Sequence, residues 1–293
     1  MALTTRKVGL GPVELVIAEA GAGGRPLLLV HGFTGAKEDF VEHLPALAAA
    51  GWHAVAPDLR GHGTSDAPDD PQAYGLELLA RDLFDLADAL GWPRFVLVGH
   101  SMGGMVAQVA ALAAPDRLEA LVLMNTCSGP VEFDRELAFG AAALVREHGM
   151  AVLAPLIASL PEGSPLDTAA SRDVRQTRLS PLGGDDPATS WAAYGDAKLL
   201  AASPVMFAAM VPAMLDAAER LDPLRHLAVP TLVVVGEQDA AFFEASHRLA
   251  MAIPGARFEV IAGAGHNPQH ERPDLWLDVV LAFLDDVVPP GHP

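Results

Sequence analysis

Short apolar runs alternate with longer segments of helical period along most of this chain, and this alternation limits the folds that the chain can adopt. Phe95 to Val98 is a continuous strand-like run, whereas apolar residues from Gly75 to Leu90 recur at helical spacing. Strands that are separated by helices pair in parallel and are buried on both faces. The sequence therefore predicts an α/β fold, with a mostly parallel twisted sheet and helices on both faces.

The other predicted elements follow the same pattern. The further strands are Val13 to Ala20, Leu27 to His31, His53 to Ala56, Leu121 to Met124, Pro230 to Gly236 and Arg257 to Ile261. Two more helices are predicted at Asp39 to Ala50, where Gly51 is a stop signal, and at Met102 to Ala114.

The alternation stops for about ninety residues after Met124, in a region rich in Ala, Pro, Met and Leu that has no strand signals. Strand patterning returns at Pro230. We therefore expect residues 1–129 and 222–293 to form one core, and residues 130–221 to form a helical cap inserted in it. A chain of 293 residues suits one large domain with such an insertion.

Charge and composition exclude several classes of partner. The chain has 37 acidic and 19 basic residues, a net charge of −18, so it should repel nucleic acid and anionic lipid. Its one cysteine, Cys127, excludes an internal disulfide. The N-terminus lacks a secretory signal, and no apolar run reaches the roughly 18 to 20 residues of a membrane span. We expect a cytoplasmic monomer or homodimer without membrane or nucleic-acid partners.

The pentapeptide Gly99-His100-Ser101-Met102-Gly103 matches the G-x-S-x-G motif of a nucleophilic serine. It lies between the predicted buried strand at Phe95 and the helix that begins at Met102. The alternative interpretation of Ser101 is an ordinary helix N-cap. The strand-to-helix position favours the nucleophile, which needs a base, a group that orients the base, and donors for the oxyanion.

Candidates for the acid and the base follow Ser101 in the chain order that accompanies the G-x-S-x-G motif, with the acid before the histidine. His266 lies in a loop after the last predicted strand and is the expected base. His270 is its rival, but it is closer to the next helix and is expected to be exposed or capping. Asp239 follows the strand that ends at Gly236 and is the expected acid, whereas Glu237 is interpreted as a solvated turn carboxylate.

Two backbone N–H groups are candidate oxyanion donors. One is that of Met102, directly after the nucleophile, and the other is that of Phe33 in the loop His31-Gly32-Phe33-Thr34-Gly35. If the G-x-S-x-G motif were absent, this loop would also fit an ordinary turn at the end of a strand. Each such donor typically contributes on the order of a hundred- to a thousand-fold in rate.

Together these motifs resemble those of α/β-hydrolase fold enzymes of the esterase and lipase group, over nearly the whole chain outside the predicted cap. The octapeptide from Asp58 to Ser65 adds to the resemblance, because it is similar to the family's D-x-R-G-x-G-x-S turn. We interpret this turn as support for the rim of the active site, and His62 within it as structural. The resemblance implies a triad of Ser101, Asp239 and His266.

The nucleophile restricts the chemistry. Relatives with an aspartate nucleophile displace halide or open epoxides, because attack at a saturated carbon leaves an ester that water can cleave. Attack by Ser101 would leave an ether. The chain has only two tyrosines, Tyr74 and Tyr194, and only the second lies in the predicted cap. A cap pair that activates an epoxide is therefore absent, and dehalogenase and epoxide hydrolase are disfavoured.

The expected function is hydrolysis of a small to medium, apolar carboxylic ester through an acyl-Ser101 intermediate, with His266 as base and then acid. No metal or organic cofactor is expected. Alternatives are a C–C bond hydrolase or enol-lactonase of ring-cleavage products, a cofactor-free perhydrolase or lyase, and a ligand sensor of weak activity. Apolar residues of the predicted cap either line a substrate pocket or, as their helical spacing favours, pack on the core: Met206, Phe207, Met210, Val211 and Met214.

Overall fold

The structure is a computed structural model that describes residues 2–153, 155 and 191–288, with the side chains of 191–193 excepted. Residues 154 and 156–190 of the predicted cap, and residues 1 and 289–293 of the predicted core, lie outside the described residues. The described strands are β1 (Thr4–Gly9), β2 (Glu14–Ala20), β3 (Arg25–Val30), β4 (Trp52–Pro57), β5 (Phe95–His100), β6 (Leu118–Met124), β7 (Thr231–Gly236) and β8 (Arg257–Ile261).

These strands form one sheet in the order β1-β2-β4-β3-β5-β6-β7-β8. The pairs β1–β2 and β2–β4 are antiparallel, and all the others are parallel. The predicted α/β fold with a mostly parallel sheet is confirmed. β1 was not predicted from the sequence, because it is an edge strand whose side chains, except that of Val8, are exposed and show no apolar alternation.

The described helices are α1 (Glu38–Val41), α2 (Leu44–Ala49), α3 (Leu76–Ala89), α4 (Met102–Ala113), α5 (Arg135–His148), α6 (Trp191–Ala201), α7 (Pro204–Leu215), α8 (Leu221–Leu224), α9 (Phe243–Ala252), α10 (Pro268–Glu271) and α11 (Pro273–Val287). The single helix predicted for Asp39 to Ala50 is wrong, since α1 and α2 are separate. Pro45 lies in the first turn of α2 and has no backbone N–H to continue a helix from α1.

Two apolar clusters cover the two faces of the sheet. Strand β3 shows the alternation directly, because Leu28 and Val30 belong to one cluster and Leu27 and Leu29 to the other. Helices α3 and α4 contribute to the first cluster, and α2 and α11 to the second. Each face of the parallel sheet is therefore buried by helices, as predicted.

Helices α5 to α7 lie between β6 and β7 in the sequence, within the predicted insertion, whose boundaries remain a prediction. Among the described residues, no single helix is both long and apolar enough to span a membrane. The stretch Tyr194–Ala201 of α6 passes that test only together with α7, as a pair bent by 91°.

The parallel strands place their carboxyl ends at one edge of the sheet, where loops after β3, β5, β6, β7 and β8 meet. The turn from Asp58 to Ser65 follows β4 at the same edge. Asp58 is buried and accepts hydrogen bonds from Lys37 Nζ at 2.8 Å and from the backbone N–H of Thr64 at 2.9 Å. These contacts tie the turn to the segment that leads into α1.

Candidate active site

Ser101 lies in the tight turn between β5 and α4, with φ 53° and ψ −118°. The turn needs glycines, because a Cβ at Gly99 would lie 2.4 Å from the carbonyl oxygen of Gly103, and one at Gly103 would lie 2.5 Å from those of Val30 and His31. Ser101 precedes the first residue of α4 but makes no side-chain capping hydrogen bond. The N-cap interpretation therefore fails, and the hydroxyl is available for other partners.

The structure brings the three predicted polar side chains into line. His266 Nε2 lies 3.1 Å from Ser101 Oγ, and His266 Nδ1 lies 2.8 Å from Asp239 Oδ2. With the proton on Nδ1, the imidazole donates to Asp239 and accepts from the Ser101 hydroxyl. These are the distances at which a hydroxyl can pass its proton to a base that a carboxylate orients.

Asp239 is fully buried and accepts a second hydrogen bond, from Asn125 Nδ2 at 2.6 Å. Burial raises the pKa of Asp239, but the hydrogen bond and charge of His266, together with the bond from Asn125, outweigh this effect and hold that pKa below its ordinary value. The carboxyl group is therefore a carboxylate at neutral pH.

Asn125 was not predicted as a site residue from the sequence. It follows β6 with φ 47° and also donates to the carbonyl oxygen of Gly265 at 3.2 Å, so one side chain links β6, the acid and the histidine loop. Asn tolerates a left-handed backbone better than most residues. A lone Asn at the carboxyl end of a buried strand was the available signal.

The main chain around His266 is held from three sides. The buried carboxylate of Glu271 accepts from the N–H groups of Gly265 and Asn267, which flank the histidine. His100 Nε2 donates to the carbonyl oxygen of His266 at 2.7 Å. Burial raises the pKa of Glu271 and lowers that of His100 to about 3, so His100 is neutral. Glu271 was also missed, because nothing in the local sequence marks it as the clamp of this loop.

The alternative candidates for the acid and the base, Glu237 and His270, make contacts outside the triad. Glu237 is exposed and accepts from the N–H of Gly263 at 2.7 Å, in agreement with its interpretation as a turn carboxylate. The expectation for His270 was wrong, since its side chain is only 6% exposed and its Nε2 lies 3.7 Å from Asp39 Oδ1. The reason is that α10 packs against α1, which turns His270 inward.

Both candidate oxyanion donors lie beside Ser101. Met102 is the first residue of α4, and Gly32 approaches so closely that a Cβ there would lie 3.1 Å from Ser101 Cβ. In the described part of the chain, the N–H groups of Phe33 and Met102 donate to no protein acceptor. Their assignment as oxyanion donors stays a prediction, and the geometry leaves both groups free for it.

A cavity of about 290 Å³ opens on Ser101 and His266. Its described lining also includes Gly32, Phe33, Thr34, Gly35, Asp39, His100, Met102, Met105, Val131, Phe133, Lys198, Met214, Phe242 and Asn267. This volume is near the lower end of the roughly 300 to 1,000 Å³ of small-molecule sites. Among residues 2–153 and 194–288, no three His, Cys, Asp or Glu side chains are grouped so that they could bind a metal ion.

Of the apolar residues predicted to line a pocket or to pack, only Met214 lines this cavity. All of them are buried in the first apolar cluster, and Phe207 stacks on Phe33 with ring centroids 4.8 Å apart. These five residues therefore pack on the core, and Met214 in addition lines the cavity.

A family model of the alpha/beta hydrolase fold matches residues 25–273. The matched region is most of the chain, and it contains the Ser101, Asp239 and His266 positions. The protein therefore belongs to the alpha/beta hydrolase fold family, as the resemblance of its motifs implied, and it is a hydrolase of that family.

Individual relatives carry several activities. The chain is 30% identical to Epoxide hydrolase A of Mycobacterium tuberculosis, over 96% of this chain and 97% of that protein. It is 25% identical to the enol-lactonase of Burkholderia xenovorans LB400, with a TM-score of 0.75 over 95% of this chain and 99% of that one. A thermophilic esterase from Thermogutta terrifontis, in a malate-bound structure, is 28% identical, with a TM-score of 0.73 over 98% and 99%. The reaction of this chain must be argued from its own site.

Proposed function

We propose that the protein hydrolyses carboxylic esters through an acyl-Ser101 intermediate. The observation that carries this proposal is the continuous chain of contacts from Ser101 Oγ through His266 to the buried carboxylate of Asp239, at the wall of a cavity that fits a small molecule. A serine so activated attacks an acyl carbon.

In the first half-reaction, Ser101 Oγ attacks the ester carbonyl carbon while His266 Nε2 takes the hydroxyl proton. The backbone N–H groups of Met102 and Phe33 donate to the oxyanion that forms, and Asp239 stabilises the imidazolium. The intermediate expels the alcohol, which receives its proton from His266. Water then attacks the acyl-Ser101 ester, with His266 again acting first as base and then as acid, and the carboxylic acid leaves.

The epoxide hydrolase name of the mycobacterial relative does not fit this site. A Ser101 ether formed by opening an epoxide has no carbonyl that water could attack. The chain's two tyrosines are also engaged outside the cavity. Tyr74 Oη donates to the carbonyl oxygen of Pro68 at 2.7 Å, and Tyr194 Oη donates to Glu38 at 3.4 Å. Neither tyrosine is among the described lining residues.

Lactone hydrolysis is the second candidate, favoured by the similarity to the enol-lactonase. A lactone is a cyclic ester, so the same steps open it, and the alcohol that leaves stays attached to the acyl group. Dihydrocoumarin and its open-chain counterpart phenyl propanoate separate the two substrate classes, because they place the same kind of phenolic leaving group on a cyclic or a linear ester.

The test combines kinetics with labelling. Stopped-flow hydrolysis of short p-nitrophenyl esters should show a burst, and mass spectrometry after a fluorophosphonate should show one adduct on Ser101. Ser101→Ala should lose both signals, whereas Ser128→Ala, a buried serine outside the cavity lining, should retain them. Absence of both turnover and adduct in the wild type would refute the proposal.

A further inference from the structure

Apart from the triad, the described part of the cavity wall contains one ion pair. Lys198, on α6, places Nζ 2.6 Å from Oδ1 of Asp39, on α1, and both residues line the cavity that contains Ser101. The side chain of Lys198 is 21% exposed and that of Asp39 is 4% exposed. Histidines excepted, they are the only ionisable residues in the described lining.

The pair has hydrogen-bonding capacity that the described residues do not use. An ammonium has three N–H donors, and within the described residues Asp39 is the only acceptor in hydrogen-bond distance of Lys198 Nζ. Asp39 Oδ2 accepts a backbone N–H from Ala36 at 3.3 Å, and a carboxylate can accept about four hydrogen bonds. A donor and an acceptor thus stand side by side at the cavity.

The charges around the pair decide which substrate group it suits. Lys37 Nζ lies 2.8 Å from both Glu38 and Asp58, so the cluster holds three carboxylates, including Asp39, against two ammonium groups, including Lys198. Its net charge is −1 with neutral histidines, in a protein whose net charge is −18. A substrate carboxylate would add repulsion here.

The histidines near Asp39 do not change this sign. Burial lowers the pKa of His31 and that of His270, although the charge of Asp39 opposes the shift. Both are therefore neutral at pH 7, and Lys198 stays the cation that faces Asp39.

The rest of the lining is mainly apolar, with Met105, Val131, Phe133, Met214 and Phe242 among its members. In such a cavity a few polar groups fix the orientation and the identity of the ligand. Ser101, Asp39 and Lys198 line one cavity of about 290 Å³, so a molecule whose carbonyl reaches Ser101 occupies the same cavity as the pair.

We propose that the Asp39–Lys198 pair makes this hydrolase selective for esters or lactones that carry a neutral hydroxyl or amide group. The substrate O–H or N–H donates to Asp39, and its oxygen accepts from Lys198 Nζ. This inference rests on the proposed ester hydrolysis at Ser101. A purely structural pair, which only joins α6 to α1 as the Tyr194–Glu38 contact does, would leave substrate selectivity unaffected.

The test uses three matched methyl esters. Methyl 3-hydroxybutanoate carries a hydroxyl, methyl 3-methylbutanoate has a methyl group in its place, and monomethyl succinate carries a carboxylate. Methyl 6-hydroxyhexanoate, methyl heptanoate and monomethyl adipate repeat the comparison at greater length. In the wild type, kcat/KM measured by acid release should be at least about tenfold higher for the hydroxy ester than for its methyl isostere at one of the two lengths, and lowest for the monoacid.

The variant that tests the pair is Asp39→Leu/Lys198→Met. Both partners are replaced, because removing Lys198 alone would leave a buried carboxylate without its counterion. The ratio of kcat/KM for the hydroxy ester to that for its isostere should fall to about one. The matched control is Arg135→Met/Asp216→Leu, which removes an exposed ion pair of the same region, 2.7 Å long and outside the cavity, and should keep the wild-type ratio.

Two results would overturn the inference: a wild-type enzyme that shows no preference for the hydroxy ester at either length, or a double variant that lowers all rates by one common factor. The first result needs no variant, so the inference stays testable if the double variant does not fold. Failure of the proposed function looks different, because then no ester is hydrolysed and no fluorophosphonate adduct forms on Ser101.

Discussion

The substitution Asp239→Asn separates the charge of the acid from its shape. Asp239 Oδ2 accepts from His266 Nδ1 at 2.8 Å and from Asn125 Nδ2 at 2.6 Å, whereas Oδ1 is buried without a hydrogen-bond partner in the described residues. The carbonyl oxygen of an asparagine can accept both hydrogen bonds, with its NH2 group in the place of Oδ1. The imidazole should keep its orientation, and only the negative charge beside it is lost.

The size of the effect follows from Coulomb's law. A carboxylate about 4 Å from an imidazolium stabilises it by about 4 kcal/mol at an effective dielectric constant of about 20. Because about 1.4 kcal/mol corresponds to a factor of ten in rate, kcat/KM should fall about a thousandfold. The buried NH2 group without an acceptor should also lower the free energy of unfolding by about 1 to 3 kcal/mol.

The assay is hydrolysis of p-nitrophenyl butyrate by the wild type, Asp239→Asn and the control Glu237→Gln, with circular dichroism to verify folding. Glu237 is exposed and bonds only the N–H of Gly263 among the described residues, so its variant should stay within about twofold of the wild type. If folded Asp239→Asn keeps more than a tenth of the wild-type rate, or if Glu237→Gln loses as much as Asp239→Asn, the assignment of the acid is refuted.

Other groups around the triad should respond to substitution or to pH. Glu271→Gln weakens the acceptor of the N–H groups of Gly265 and Asn267, which flank His266, so kcat for an ester should fall about tenfold with KM nearly unchanged. A folded variant with the wild-type kcat would exclude this role. Gly103→Ala places a Cβ 2.5 Å from main-chain oxygens and should lower the free energy of unfolding by about 1 to 3 kcal/mol in urea titrations, and a neutral result would contradict the close approach. Burial lowers the pKa of His62 and that of His100 to about 3, so between this value and about 6.5 the unfolded chain binds more protons than the folded one. Stability should therefore fall with decreasing pH in this window, by about 1.4 kcal/mol per pH unit for each histidine, and an equal urea midpoint at pH 6 and pH 5 would contradict it.

Much of the fold was predictable because parallel strands that are buried on both faces consist of continuous apolar runs. The central strands β5 and β7 are mostly apolar and fully buried, and both were predicted from the sequence. β1 gave no such signal, since its exposed edge position requires no apolar alternation. The break between α1 and α2 was missed although Pro45 marks it, because the apolar spacing continues across the break.

The candidate site was likewise predictable from the sequence only in part. Ser101, Asp239 and His266 were located from the sequence alone, because each lies in a loop directly after a strand and parallel strands bring such loops to one edge. The roles of these residues remain proposals, but their proximity is a structural result. Glu271 has no local signal in the sequence, and Asn125 has only its position directly after β6, because the importance of both residues lies in what they contact.

The sequence by itself determined most of the strand and helix pattern, the sharp turn at Ser101 and the order of the triad residues, because these depend on neighbours along the chain. Only the tertiary structure decided that Asn125 reaches Asp239, 114 residues away, and that Lys198 reaches Asp39, 159 residues away. Such contacts depend on which strands become neighbours and how the helices pack on them, and side-chain periodicity carries no information about partners so distant in the chain.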